Sequence, residues 1–257
     1  YVYDFLTKTT TKSTSQGYSP SFSPDGMKIV YSYPASSSLS QIYVMNVDGT
    51  NVYQLTDNNY GNRHPQYSPE GKKIVYQSEI SVIDQVPVVE IYLMDTDGSN
   101  QTKLTDNGAY NSQPKFSPDG SRLIFMSYIH NAPWNIWSMT VDGSNLVDLS
   151  QGTGINNGLH GFDISPDGNK VVYCSEISED REIYIVDIDA TNLTRLTNNI
   201  GGDQFPEFSP HGTKIVYQSE YNSVQWDVFI MDVDGSNKTN LTNTSNVDNN
   251  PKFRSIE

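Results

Sequence analysis

Cysteine is almost absent from this sequence, which has Cys174 as its single thiol among 257 residues. One thiol can form neither an intramolecular disulfide nor a cluster of thiolate metal ligands. Cys174 also occupies a repeated position at which other copies of the repeat carry Ser32, Gln77, Met126 or Gln218. We therefore expect a packing residue there, not a catalytic nucleophile.

Basic side chains and long apolar runs are also scarce. Sixteen Lys and Arg residues face thirty Asp and Glu residues, which leaves a net charge of −14. Such a surface repels nucleic-acid phosphates and anionic lipid headgroups. No apolar run approaches the roughly 18 residues that a membrane-spanning helix requires. The sequence thus argues against nucleic-acid binding and against direct membrane insertion.

Recognisable catalytic motifs are missing as well. The sequence has no Gly-x-Ser-x-Gly nucleophile turn, no His-Glu-x-x-His zinc motif and no phosphate-binding Gly-Lys-Ser loop. No helical periodicity is visible either. We therefore expect neither an enzyme nor a metal or other cofactor.

What the sequence does contain is one repeated unit, seen most clearly in residues 114–125, Pro-Lys-Phe-Ser-Pro-Asp-Gly-Ser-Arg-Leu-Ile-Phe. Near-copies start 44 to 49 residues apart, at Pro20, Pro65, Phe162, Pro206 and, truncated, Pro251. A period of this length suits a four-stranded antiparallel sheet repeated around an axis. The pattern predicts an all-β, six-bladed β-propeller.

Each unit is predicted to hold four strands, A to D. Strand A is short, as in residues 66–68, a Pro-Asp-Gly-type turn follows, and strand B is a buried apolar run such as residues 74–76. Strand C is exemplified by residues 91–94 and strand D ends near Leu104. We interpret residues 1–257 as a single domain, with blades 1 to 5 in residues 20–250. Residues 1–19 and 251–257 together would form the sixth blade and close the ring, which removes exposed strand edges.

The motif Asp95-Thr96-Asp97-Gly98 and its relatives resemble part of a calcium-binding loop. They lack the other acidic positions of that loop, and Asp-Gly between two strands is a strong hairpin signal. We interpret them as hairpin turns between strands C and D.

Strand alternation places two kinds of loop on opposite rims of the ring. One rim carries the uniform Asp-Gly and Pro-Asp-Gly turns. The other rim carries the loops before strand A and the loops between strands B and C. The loops between strands B and C differ in every unit and comprise residues 34–40, 79–89, 128–135, 178–181 and 221–225. Specificity usually resides in varied loops on a rigid scaffold. The varied rim and the mouth of the channel are therefore the predicted binding surface.

Polar residues just before strand A, and an aromatic residue beside one B-to-C loop, are the candidate ligand-binding residues: Asn62, Arg63, His64, Tyr110, Gln113, Trp134, His160, Asp203, Gln204 and Asp248. Histidines can bind transition metals or exchange protons near neutral pH. Two alternatives stay open at this point. These residues could line the channel and hydrogen-bond to water, or His64 and His160 could converge on a metal.

The repeated Pro-x-Phe-Ser-Pro-Asp-Gly, the Lys-Ile-Val-Tyr strand and the Ile-Tyr-x-Met-Asp-x-Asp-Gly-x-Asn hairpin together resemble the TolB-type, WD40-like β-propeller family over nearly the whole chain. The resemblance implies a six-bladed propeller of an exported, periplasmic or cell-surface protein. It implies a scaffold of a kind that often binds proteins. The varied rim and the missing catalytic motifs lead us to expect a protein, peptide or glycan partner. We expect a monomeric, non-enzymatic binding module; the alternative is a hydrolase or polysaccharide lyase that uses the channel mouth, with or without a metal.

Overall fold

The computed structural model describes residues 2–4, 9–11, 17–34, 39–83, 85–129, 133–153, 161–175, 181–221, 225–242, 251 and 253. These residues form strands and turns and contain no helix, so no described segment is a helix able to cross a membrane. The predicted all-β class and the four-stranded antiparallel sheets are confirmed. The chain divides into two compact units, of which the first comprises residues 1–116, 120–130 and 139–144, and the second the remainder.

The first unit begins with a short antiparallel pair, β1 and β2, followed by two sheets with the strand order β3-β4-β5-β6 and β7-β8-β9-β10 and by the antiparallel pair β11-β12. Its strands are β1 (Val2–Asp4), β2 (Thr9–Thr11), β3 (Tyr18–Phe22), β4 (Lys28–Pro34), β5 (Ser40–Asn46), β6 (Tyr53–Gln54), β7 (Gly61–Tyr67), β8 (Lys73–Ile83), β9 (Val86–Asp95), β10 (Thr102–Lys103), β11 (Tyr110–Phe116) and β12 (Arg122–Tyr128). A parallel link between Tyr110 of β11 and Val89 of β9 joins two successive repeats.

The second unit contains two further sheets with the orders β15-β16-β17-β18 and β19-β20-β21-β22, and most of a hairpin formed by β13 and β14. The strands are β13 (Asn135–Thr140, whose last two residues belong to the first unit), β14 (Val147–Asp148), β15 (Phe162–Ile164), β16 (Lys170–Ser175), β17 (Glu182–Asp187), β18 (Thr194–Arg195), β19 (Asp203–Phe208), β20 (Lys214–Tyr221), β21 (Gln225–Asp232) and β22 (Thr239–Asn240).

The hydrophobic core of each unit lies between neighbouring sheets. In the first unit, Val30 and Val44 of one sheet pack against Ile74 and Tyr76 of the next. In the second unit, Val172 and Ile183 pack against Ile215 and Tyr217, together with Cys174, which is buried as expected. The strands predicted as B and C supply these residues, because both faces of a sheet packed between two others must be apolar.

The Asp-Gly motifs form hairpin turns, as predicted. Asp97 Oδ1 accepts hydrogen bonds from the backbone N–H of Ser99 at 2.9 Å and from its hydroxyl at 2.6 Å. Lys73 forms an ion pair with Asp95, with Nζ and Oδ1 2.6 Å apart. The carboxylates of this motif therefore stabilise the turn and its neighbouring strand by hydrogen bonds and an ion pair.

Two features of the predicted strands need correction. Strand A is longer than predicted: β7 and β11 each have seven residues and start upstream of their prolines, because each strand contains a β-bulge at the proline. Residues 79–89, predicted as a loop, are mostly strand, since β8 runs to Ile83 and β9 starts at Val86.

Candidate functional site

The same backbone irregularity recurs in the first strand of each repeat of the first unit. Ser19, His64 and Gln113 have positive φ angles of 50°, 52° and 52°. Each precedes a proline, and the pairing with the next strand shifts register at that point. Proline has no N–H to give to a ladder, so it fits a bulge better than a regular strand position. The left-handed conformation costs a non-glycine residue roughly 1–2 kcal/mol, so the fold holds these three residues against their preference.

The three bulges line one cavity in the first unit. The cavity has a volume of about 280 Å³ and is formed by residues 19–21, 64–66 and 113–115. Each repeat contributes the same three positions, with a proline in the middle. The backbone is therefore shared among the repeats, whereas the flanking side chains, such as Ser19, His64 and Gln113, differ.

His64 is the titratable group at the centre of this arrangement. Its Nδ1 lies 3.2 Å from the hydroxyl oxygen of Ser19. Burial lowers the pKa of the imidazole, and the nearby Arg63 guanidinium lowers it further. The ring is therefore neutral at physiological pH, with one nitrogen as a donor and the other as an acceptor.

The remaining polar groups of the cavity are partly engaged by the fold. Gln66 Oε1 accepts a hydrogen bond of 2.8 Å from the backbone N–H of Phe116. The backbone N–H of Gln113 donates to Gln77 Oε1 at 3.0 Å. The cavity thus presents a hydroxyl, a neutral imidazole and amides beside three proline rings, a set suited to hydrogen bonding with a polar ligand.

The structure places Asn62 away from the cavity. It is fully buried within β7, and its Nδ2 donates to Gln41 Oε1 at 2.9 Å and to Asn58 Oδ1 at 2.8 Å. The bond to Gln41 connects two successive sheets, and the bond to Asn58 ties β7 to the segment before it. Ligand binding by Asn62 stays a prediction; the contacts that the structure assigns to it are internal.

Asp203, at the matching position of a later repeat, is also fully buried. Burial raises the pKa of its carboxyl group to about 6, and the nearby Glu182 charge adds to the shift. Its Oδ2 atom has no hydrogen-bond partner among the described residues. Asp203 and Asn62 lie inside strands and not in front of them, because the bulge moves the proline into the strand.

The other predicted residues fall in several places. Arg63 forms an ion pair with Glu79 (3.8 Å), and Tyr110 is half-buried where β11 meets β9. Trp134 is a partly buried residue just before β13. His160 and Asp248 lie outside the described residues.

Gln204 belongs to a second polar cluster, in the second unit. Arg181 Nη1 donates to Gln204 Oε1 at 2.7 Å, and the Arg181 guanidinium carbon lies 5.3 Å from the centre of the Trp226 ring. A guanidinium over an indole is a favourable cation–π pair. The sequence pattern did not single out Arg181, which follows a loop with several acidic residues.

Ser19 was likewise not among the predicted site residues. The signal was present, however: Ser19 precedes Pro20 as His64 precedes Pro65 and Gln113 precedes Pro114. Alignment of the repeats on their prolines identifies all three. Among the described residues, no group of three or more His, Cys, Asp or Glu side chains is arranged to hold a metal ion.

Comparison with known proteins agrees with the repeat architecture. The chain is 34% identical over 91 residues to an uncharacterized protein of Agrobacterium fabrum, a match that covers 35% of this chain and 30% of that protein. The chain thus matches less than a third of the length of that curated relative.

Two solved structures extend the comparison. A protein described as TolB from Agrobacterium tumefaciens is similar with a TM-score of 0.64 and 25% identity, over 86% of this chain and 78% of that one. An oligogalacturonate lyase in complex with manganese has a TM-score of 0.66 at 14% identity, over 86% of this chain and 63% of that one, which is a likeness of fold alone. The family model described as the TolB beta propeller domain matches residues 1–157 and 161–256. The chain therefore belongs to the TolB beta propeller domain family.

Proposed function

We propose that this protein is a non-enzymatic binding module that takes a protein, peptide or glycan partner through its varied rim and the cavity lined by the three bulges. The observation that carries the proposal is that one backbone geometry recurs at Ser19, His64 and Gln113 while the side chains differ. Repeat folds acquire specificity by combining a backbone geometry that recurs in each repeat with side chains that differ between repeats.

The proposal includes a six-bladed ring. The repeat spacing supports it, as do the antiparallel pairing of β1 with β2 and the placement of Pro251 at the start of a sixth copy. In the proposed arrangement residues 251–257, most of which lie outside the described residues, supply the innermost strand of the blade to which residues 1–19 contribute the outer strands. Deletion of residues 251–257 is then expected to lower the melting temperature sharply; an unchanged melting temperature would refute the closure.

An extracytoplasmic location, in the periplasm or at the cell surface, is part of the same proposal. The family membership supports it, together with the acidic, polar composition. A monomer fits the net charge of −14, because two copies of the chain repel each other.

An enzymatic role is the second candidate, and one contact favours it. Ser19 and His64 lie within hydrogen-bonding distance, as a nucleophile and its base do in hydrolases. A lyase is among the proteins of similar fold, so this fold is compatible with an enzymatic role. Against it, burial and Arg63 both lower the pKa of His64, which makes the imidazole a weaker base.

A binding screen with a matched variant tests the proposal. The wild type and the triple variant Ser19→Ala, Gln113→Ala and His64→Ala are compared on a glycan array and with a random 12-residue peptide display library. We expect the wild type to retain a consistent class of peptide or glycan that the triple variant loses. Equal retention by both proteins would contradict binding through the cavity.

A further inference from the structure

Asparagine recurs at one position of the loop that leads into strand A. The three copies lie four residues before a buried polar residue of that strand, and they are Asn58, Asn107 and Asn199. The residue that follows the asparagine differs, and it is Asn59, Gly108 and Ile200 in turn. Glycine has no Cβ, so its backbone nitrogen can approach a neighbouring group closely. Of these three copies, only Asn107 is followed by a residue that lets the backbone reach the asparagine side chain.

The side chain of Asn107 is held with its carbonyl oxygen toward the protein. Oδ1 accepts a hydrogen bond from Asn111 Nδ2 at 2.8 Å and another from the backbone N–H of Ala109 at 3.2 Å. The residue is exposed, and none of the described residues accepts a hydrogen bond from its Nδ2. Two donors on an amide oxygen stabilise the negative charge that develops there when the amide carbon is attacked.

A carboxylate lies on the backbone N–H of the next residue. Gly108 N–H donates to Glu90 Oε1 at 3.2 Å. Glu90 is fully buried, and its other oxygen accepts hydrogen bonds from Asn111 Nδ2 and from the hydroxyl of Thr105. A carboxylate within hydrogen-bonding distance of an N–H is placed to remove its proton. The nitrogen of Gly108 therefore has a base beside it.

We propose that Asn107 is a site of self-catalysed deamidation. The nitrogen of Gly108 attacks Cγ of Asn107, and Glu90 accepts the N–H proton. The Cγ–Nδ2 bond then breaks, and Nδ2 leaves as ammonia with the proton that Glu90 returns. The resulting succinimide ring takes up water, which opens it to aspartate or isoaspartate at position 107. Water is the only other reactant.

The first repeat has a similar loop without the reactive groups. Asn58 Oδ1 also accepts two hydrogen bonds, from Asn62 Nδ2 at 2.8 Å and from the backbone N–H of Tyr60 at 3.1 Å. The carboxylate is replaced by the amide of Gln41, whose Nε2 donates to the carbonyls of Asn58 and Tyr60. The glycine is replaced by Asn59. Asn58 should therefore persist under conditions in which its counterpart in the second repeat reacts.

The modification would alter the predicted binding rim. Position 107 lies in the loop between β10 and β11, and β11 carries Gln113 of the cavity. Aspartate would add a negative charge to this loop, and isoaspartate would also lengthen its backbone. The inference thus assigns a time-dependent change to this surface, and it does not depend on the proposed binding function.

Site-resolved mass spectrometry of the folded protein during warm incubation at neutral pH tests the inference. The references are a synthetic peptide of residues 103–112 and two variants. Glu90→Gln gives the second repeat the amide that the first repeat already has at this position, and Asn59→Gly gives the first repeat an Asn-Gly pair without the carboxylate. The other Asn-Gly pair of the sequence, at residues 157–158, lies outside the described residues and is followed separately.

We expect Asn107 to deamidate about tenfold faster in the folded protein than in the peptide, because the base and the two donors are positioned only by the fold. Glu90→Gln should lower the rate to that of the peptide or below it. In the Asn59→Gly variant, Asn58 should react more slowly than Asn107.

A rate at Asn107 that is equal or lower in the folded protein than in the peptide would overturn the inference, since the fold would then protect the site. An unchanged rate in Glu90→Gln with a cooperative melting transition would overturn it as well. Equal rates at Asn58 and Asn107 in the Asn59→Gly variant would show that the Asn-Gly sequence alone accounts for the reaction. That last comparison stays decisive if Glu90→Gln does not fold, because Asn59 is exposed.

Discussion

Arg195 donates a hydrogen bond to Glu182, with Nη2 and Oε1 2.6 Å apart, although the Glu182 side chain is almost completely buried. Thr197 adds a second hydrogen bond to Glu182, at 2.5 Å. Asp203, in the strand that follows, shares this surrounding, and no described residue forms an ion pair with it. Two earlier repeats have Asn62 and Asn111 at the position of Asp203, and Asn111 Nδ2 donates to the buried Glu90 at 2.9 Å. An amide can donate to the neighbouring side chain, whereas an ionised carboxylate cannot.

Asp203→Asn is therefore expected to stabilise the protein at neutral pH. The folded-state pKa of about 6 lies above the value of 3.8 for an unperturbed carboxyl. Asp203 thus favours folding below about pH 4, and this contribution is lost as the pH rises toward 6 and above. A shift of this size corresponds to a cost on the order of 3 kcal/mol at pH 7. The gain of the Asn variant should shrink as the pH falls to 4, which urea denaturation at several pH values measures.

The reverse substitution is the control for that prediction. Asn111→Asp places a second carboxyl group beside Glu90 and removes the donor of the 2.9 Å hydrogen bond. It should destabilise the protein at pH 7 and less so at pH 4. If both variants changed stability equally at all pH values, the role assigned to the buried carboxylates would be wrong.

Thr105 holds the end of one sheet through a side-chain hydrogen bond. Its Oγ1 accepts from the backbone N–H of Ile91 at 2.9 Å and donates to Glu90. Thr105→Val keeps the shape but leaves both buried groups without this partner, so we expect a loss of about 2 kcal/mol. Thr102→Val, at an exposed site on the short outer strand β10, should change stability by less than about 0.5 kcal/mol. Similar losses from the two variants in chemical denaturation would contradict the assigned bond.

Two turn glycines should differ in their tolerance of a methyl group. Both have positive φ, 86° at Gly98 and 69° at Gly26. A Cβ on Gly98 would lie 2.6 Å from the carbonyl oxygen of Leu55, whereas a Cβ on Gly26 would meet nothing within 4 Å. Gly26→Ala should cost about 1 kcal/mol of backbone strain, and Gly98→Ala should cost clearly more, on the order of 3 kcal/mol. Thermal denaturation of both variants measures the difference, and equal costs would argue against the close approach of the two sheets at Leu55.

Much of the fold could be predicted from the sequence, because the repeat displays its strands and turns several times. Strands such as Ile74–Tyr76 and the Asp-Gly hairpins were predicted from apolar runs and turn residues. The length of strand A was not, since Pro65 suggests a boundary and only the backbone shows that it sits in a bulge inside β7. The extended β8–β9 hairpin was missed for a related reason: residues 79–89 have no counterpart in the other repeats.

The candidate site was predicted less completely than the fold. The position of His64 and Gln113 before a proline identified them, but Asn62, two residues earlier, is buried between sheets. Polarity alone cannot separate these cases, because a buried amide that donates to neighbouring strands and loops and a cavity-lining amide have the same sequence signal. Ser19 was missed because serine is common in this sequence and does not by itself suggest a binding site. Alignment of the repeats on their prolines nevertheless places Ser19 at the position of His64 and Gln113.

The central claim, that the cavity binds and does not catalyse, is tested most directly by the fate of a bound compound. A peptide or glycan that the wild type retains and the Ser19, His64 and Gln113 triple variant loses is incubated, in molar excess, with the wild-type protein, with and without manganese, and followed by mass spectrometry. The account predicts that the compound is recovered intact after prolonged incubation. Cleavage products that exceed one equivalent of protein when the compound is in excess, and that disappear with Ser19→Ala or His64→Ala, would contradict it and establish the enzymatic alternative.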